Sequence, residues 1–311
     1  MSTRLDQALT DYLALRRAMG FHLDRAQKLL TQFIGWLDEQ GLDTITTACA
    51  MDWATLPADA AAWWWQLRMS AVRGFATYLH ARDPRVEIPP PGLIRGGAHR
   101  ATPYLYAEAD IVGLLSAAGR LPRPLGAATY QALIGLLAVT GMRVGEAISL
   151  DRDDLDTGHD AVLTIRAGKF GKARLLPLHP STVAALRGYL RTRDRLLPQP
   201  TTPALLISTT GTRLGSNNVW RTFHRLVIQT ALTSRSASCR PRIHDLRHSF
   251  AVRTMLDGYA RGDDVQALLP RLSTYLGHTD PKHTYWYLSA APELLTLARQ
   301  RLETHRQAGH E

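Results

Sequence analysis

Five prolines, at 84, 89, 90, 91 and 103, and three glycines, at 92, 96 and 97, fall within one short stretch, which constrains the fold more than any other part of the chain. Proline lacks the amide hydrogen that helices and interior strands need, and glycine has the most backbone freedom to lose on folding, so neither helix nor sheet survives that composition. The 311 residues are therefore read as two domains, 1–83 and 104–311, joined by a linker over 84–103.

Upstream of the linker, apolar residues recur at helical spacing: Leu5, Leu9, Tyr12 and Leu13, then Leu23, Leu29, Leu30, Phe33, Ile34 and Leu37, with Gly20 and Gly41 as stops. A further helix is expected from a cap at Asp59 to about Arg82, giving a small helical bundle. The run Trp63-Trp64-Trp65 is read as core packing rather than a base-stacking platform, because three successive helix positions cannot share a face. Downstream, helices are expected over 110–118, 130–139, from Arg143 onward, and over 181–193, 217–232, 244–256 and from Val265. Residues 161–166 and 173–178 read as two strands around a turn at 168–172. The expected class is mainly α, with an α+β second domain that carries a small β-hairpin.

Charge is unevenly spread. Residues 1–95 hold ten acidic and ten basic side chains, whereas 96–311 hold 17 acidic and 27 basic, so the second part carries the whole net charge of +10. A partner of negative charge is expected there. Only four of the 37 basic residues are lysines, which makes each lysine informative. Cys49 and Cys239 lie far apart in metal-unlike spacing, and a reducing cytoplasm is the natural compartment. No apolar run of 18 residues and no secretory pattern occurs, so no membrane span is expected.

The segment from 244 to 287 carries the chemistry: His244-Asp-Leu-Arg247-His248, then Leu276-Gly277-His278, then Tyr287. In a helix His244, Arg247 and His248 share a face, which taken alone is equally an ordinary solvated basic surface. Phosphodiester chemistry without a metal needs a nucleophile, cations around phosphorus and a proton carrier, and all three kinds of group are here. Arg247 places a cation among the would-be ligands of a metal, so no metal is expected.

With Thr140-Gly-Met-Arg143-Val-Gly-Glu146 upstream, this set resembles the tyrosine recombinase family of phage integrases and Xer proteins. The resemblance covers the whole chain and is strongest over 140–288. It implies a helical core-binding domain followed by the family's catalytic domain, and a DNA strand exchange that needs no cofactor, neither ATP nor metal. Arg143 and Arg247 would flank the scissile phosphate, since guanidinium offers paired donors to the non-bridging oxygens at any physiological pH. His244 and His278 would bond the phosphate and help move the tyrosine proton. The sequence Gly168-Lys169-Phe170-Gly171-Lys172-Ala-Arg174-Leu-Leu-Pro177-Leu resembles the family's lysine hairpin. Position matching makes Lys169 the acid for the departing 5′-oxygen and leaves Lys172 as a phosphate contact or turn residue, while Phe170 replaces a family glycine.

Tyr285 and Tyr287 compete for the role of nucleophile, and the nine-residue spacing from His278 matches the family at Tyr287. Arg68 and Arg73, in a segment resembling the core-binding helix, are candidates for phosphate or groove contacts, or else two exposed helix arginines. An amphipathic helix over Glu293–Arg306 must bury its apolar face either on its own domain or, as the resemblance implies, on the next subunit of a four-protomer synapse on double-stranded DNA, with partner recombinases and a nucleoid location also implied. The alternatives are a type IB topoisomerase, a non-catalytic DNA-binding regulator on the same fold and, further off, a metal-dependent nuclease. The spacing of 31 residues from Arg247 to His278 is longer than in compact Xer proteins.

Overall fold

The computed structural model describes residues 2–21, 23–95, 101–166 and 173–277. The readings at Lys169, Phe170, Lys172, His278, Tyr285, Tyr287 and Glu293–Arg306 lie outside the described residues. The chain divides into two units, Met1–Arg100 and Ala101–Glu311, each with its own core. No helix among the described residues is long and apolar enough to cross a membrane.

The first unit is built from helices α1 (Ser2–Ala18), α2 (Asp24–Glu39), α3 (Thr47–Thr55) and α4 (Ala62–His80). On α2 the buried residues Leu29, Leu30, Phe33, Ile34 and Leu37 form one stripe, which meets Trp53 of α3 and Met69, Val72 and Phe75 of α4 in the core. Helix α3 was not among the expected elements. It starts at Thr46, whose hydroxyl accepts a bond from the Cys49 amide at 3.2 Å. Helix α4 begins after Ala61 with no side-chain cap, rather than at Asp59. Trp63 is exposed, Trp64 packs against the core, and Trp65 donates from its indole to the Pro57 carbonyl.

Residues 84–95 form neither helix nor strand, and they are packed down rather than extended as a tether. Val86 is buried, the Glu87 amide donates to the Ile45 carbonyl, and the Glu87 carboxylate accepts from the Thr47 amide. Arg73 donates from Nε to the Pro89 carbonyl at 2.6 Å and from Nη2 to the Pro90 carbonyl at 3.0 Å.

The second unit contains α5 (Glu108–Gly119), α6 (Pro124–Thr140), α7 (Val144–Ser149), a 3₁₀ turn at Arg152–Asp154, strands β1 (Leu155–Asp156), β2 (Val162–Ile165) and β3 (Arg174–Pro177), then α8 (Pro180–Leu196), α9 (Ser216–Gln229), α10 (Asp245–Arg261) and α11 (Val265–Leu276). Helix α6 buries residues on nearly every side and packs against α5, α7, α8 and α10, as a helix apolar all round must. The sheet is antiparallel in the order β1-β2-β3, with Leu163 opposite Leu176 and Ile165 opposite Arg174. This register buries Leu163, Ile165 and Leu176 and sets Arg174 at the start of β3, opposite the end of β2. The short first strand is an addition to the two expected. The architecture is mainly helical with a small sheet, as expected from the sequence.

Candidate active site

Gly141 ends α6 in the left-handed conformation, φ +60°, and a Cβ there would lie 2.4 Å from Cδ1 of Phe250. Glycine is required on both counts. The sharp turn lets α7 start at once, with Arg143 as its N-cap residue. Glu146, on the first turn of α7, accepts from the Arg143 amide and Nη1, both at 2.9 Å. Arg143 is therefore in an ion pair with the glutamate three residues on, an ordinary structural role for a helix-start arginine.

Glu146 does more than pair with Arg143. Arg174 reaches across from β3 and donates two parallel bonds to it, Nη1 to Oε1 at 3.0 Å and Nη2 to Oε2 at 2.7 Å. The Glu146 side chain is 4% exposed. Burial alone would raise its pKa, but the bonds from Arg174 and Arg143 outweigh burial and lower it to about 2. The carboxylate is thus fully ionised at neutral pH, and it holds two guanidinium groups that would otherwise repel each other.

The same arginines meet the C-terminal end of α11, whose last carbonyls have no partners within the helix. Arg174 Nε donates to the Tyr275 carbonyl at 3.0 Å, Arg247 Nη2 to that of Leu276 at 2.7 Å, and Arg143 Nη2 to that of Gly277 at 3.4 Å. Three successive carbonyls are met by three cations from three different elements, an arrangement the helix dipole favours. Gly277 closes the helix at φ +69°, where a Cβ would stand 2.9 Å from Arg174 Nη1. Arg247, only 2% exposed, also donates from Nη1 to the Gly141 carbonyl at 2.7 Å, so it ties α10 to the end of α6 as well as to α11.

His244 is the N-cap residue of α10. Desolvation of its ring by the packed protein, and then the charges of Arg247, Arg143 and Arg242, lower its pKa to about 4, which leaves a neutral imidazole at pH 7 beside the arginines. The start of α10 is braced from behind. Arg242 makes a two-bond ion pair with the fully buried Asp245, both contacts at 2.9 Å, Ser249 donates to the Asp245 carbonyl, and the Tyr106 amide donates to the Ser249 hydroxyl.

Arg143, His244 and Arg247, predicted from the sequence, are thus brought together. Arg68 and Arg73 are not part of this site. Arg68 is 7% exposed, lies over the Trp53 ring at 3.7 Å and donates to the Trp53 carbonyl, so the expectation of a groove contact is corrected for it: it joins α3 to α4. Arg73 is engaged with the Pro89 and Pro90 carbonyls. Arg174 and Asp245 were quoted in motifs without a role, and only the fold reveals their partners. Among the described residues, no group of three or more His, Cys, Asp or Glu side chains is placed to hold a metal ion.

Comparison with known proteins places these residues in context. The family model described as the phage integrase family matches residues 107–293. A Sinorhizobium fredii protein carrying the provisional name integrase/recombinase y4rB is 44% identical, with 96% of each chain covered. The tyrosine recombinase XerC of Mycobacterium leprae is 30% identical over 90% of this chain and 92% of its own. Among solved structures, the Tn1549 transposon integrase in complex with transposon right end DNA aligns with a TM-score of 0.64 at 16% identity, covering 96% of this chain and 98% of that one. The XerH site-specific recombinase bound to palindromic difH substrate aligns at 0.63 with 18% identity, covering 100% and 85%.

Proposed function

The chain belongs to the phage integrase family, and from that premise we propose that it is a site-specific tyrosine recombinase that cuts and rejoins double-stranded DNA through a covalent 3′-phosphotyrosine at Tyr287. The observation that carries the reading is the convergence of Arg143 and Arg247 on neighbouring carbonyls at the end of α11, beside a neutral His244. Two guanidinium groups are what a pentacoordinate phosphorus needs, because its non-bridging oxygens concentrate negative charge.

In this reading the Tyr287 oxygen attacks phosphorus between Arg143 and Arg247, and the 5′-oxygen leaves with a proton from Lys169. His244 and His278 bond the phosphate and relay the tyrosine proton. The 5′-hydroxyl of a partner strand then attacks the phosphotyrosine and releases Tyr287, so the bond energy is conserved and no ATP or metal is consumed. Lys172 contacts the DNA backbone. Residues 1–83 form the DNA-clamping domain and 104–311 the catalytic one. Four protomers on paired sites, with or without a partner recombinase, complete the reaction on nucleoid DNA. Relatives named as recombinases favour this over relaxation of supercoils or simple repression.

The test starts from duplexes selected for binding to the protein out of a randomised pool. On such a duplex, nicked beside the cleavage point so that the cut end is lost, wild type and Tyr285→Phe form a covalent adduct on denaturing gels and Tyr287→Phe forms none. An adduct with Tyr287→Phe would remove the assignment.

A further inference from the structure

We propose that Arg174 is a positioning residue for strand cleavage: through Glu146 it sets the place of Arg143, and through the Tyr275 carbonyl it fixes the end of α11 from which the chain continues to His278. The inference rests on the recombinase reading above and assigns a role to a residue that the reaction itself does not call for.

The geometry argues against an ordinary surface ion pair. Arg174 makes three bonds to two different elements, two to the Glu146 carboxylate on α7 and one to the Tyr275 carbonyl on α11. Its side chain is 14% exposed and that of Glu146 4%. Glu146 then holds Arg143 by both backbone and side chain. A planar guanidinium can serve a carboxylate and a carbonyl at once, whereas an ammonium cannot reproduce the paired bonds. The bare Gly277 fits the same scheme, since a Cβ there would meet Arg174 Nη1 at 2.9 Å and press the fork out of place. Arg174 also opens β3, the strand that follows Lys169 in sequence.

If Arg174 is removed, Glu146 keeps Arg143 but loses its two-bond partner, and the pair is free to rotate. A displacement of about 1 Å in a group that stabilises a transition state costs on the order of 100-fold in rate. The defect is in neutralising charge on the phosphate, so it shrinks when the phosphate carries less charge. That property separates a positioning role from a merely structural one.

The experiment compares wild type, Arg174→Ala and Arg174→Lys on the selected nicked duplex, once with the natural phosphodiester and once with a methylphosphonate at the scissile position. Each preparation supplies its own reference, because the ratio of adduct rates on the two substrates cancels the fraction of folded protein. Arg174→Ala is expected to lose at least tenfold on the phosphodiester with duplex binding within about threefold of wild type, and to recover most of that loss on the methylphosphonate; Arg174→Lys falls between. Equal losses on both substrates, no loss on either, or a loss fully matched by weaker binding would each overturn the proposal. Absence of an adduct with wild type on both duplexes would instead refute the recombinase reading, and this inference with it.

Discussion

Glu146 is nearly sealed from water and still ionised, because Arg174 and Arg143 outweigh its burial and bring its pKa to about 2, against an ordinary 4.5. A folded-state pKa below the unfolded value stabilises the fold above pH 4.5, and that contribution is lost as pH falls from 4.5 toward 2. The shift corresponds to on the order of 3 kcal/mol at neutral pH. Glu146→Gln is therefore expected to lower the unfolding midpoint of the second unit at pH 7, with the gap to wild type closing as the pH approaches 2; a constant gap in a series of thermal melts would contradict it. At this scale the sequence was most legible where chemistry repeats within one helical turn, as in His244 and Arg247. It was least legible where a partner lies far away along the chain. Arg174 and Glu146 are 28 residues apart, and Arg68 looked like a surface arginine until the Trp53 ring was seen to cover it.

Turns and short elements show the same division. The helix expected over 130–139 does end before the one expected from Arg143, and Gly141 between them is a local signal, a glycine just past a helix end. Its tightness is not local, for the clash comes from Phe250 on α10. Gly141→Ala would combine left-handed backbone strain with overpacking, for a loss of about 3 kcal/mol in the second unit. It should also disturb the Gly141 carbonyl that accepts from Arg247, so adduct formation should fall with stability. Denaturant melts alongside the nicked-duplex assay check both, and a melt equal to wild type would refute the strain argument. Helix α3 has little local signature because its nine residues are few and follow a β-branched run, Thr44-Ile45-Thr46, that reads as extended. Strand β1, two residues long, exists only through its pairing with β2 and has no signature of its own.

For the whole molecule, proline and glycine content marks 84–103 as a break in regular structure, but the packing of residues 84–94 on the first unit is not legible there, because carbonyls offered to Arg73 and Gln66 are invisible in a sequence. The proposed four-protomer assembly belongs to this scale. Truncation after Ala291, which removes the amphipathic segment Glu293–Arg306, is expected to leave binding to a single site within about threefold and to abolish the tetramer on paired sites. Light scattering on site-loaded protein decides it, and an unchanged tetramer would rule the role out. The arginines at the end of α11 have a last consequence, for behaviour in solutions of different ionic strength. Dissolved ions screen charges they can approach, and the 27 basic residues of the second part include many on its surface. They act far less on Arg247, which is 2% exposed and held by two carbonyls. Concentrated electrolyte should therefore loosen the grip on the duplex while leaving this cation at full strength, so that occupancy falls but the speed of bond breaking in each bound complex does not.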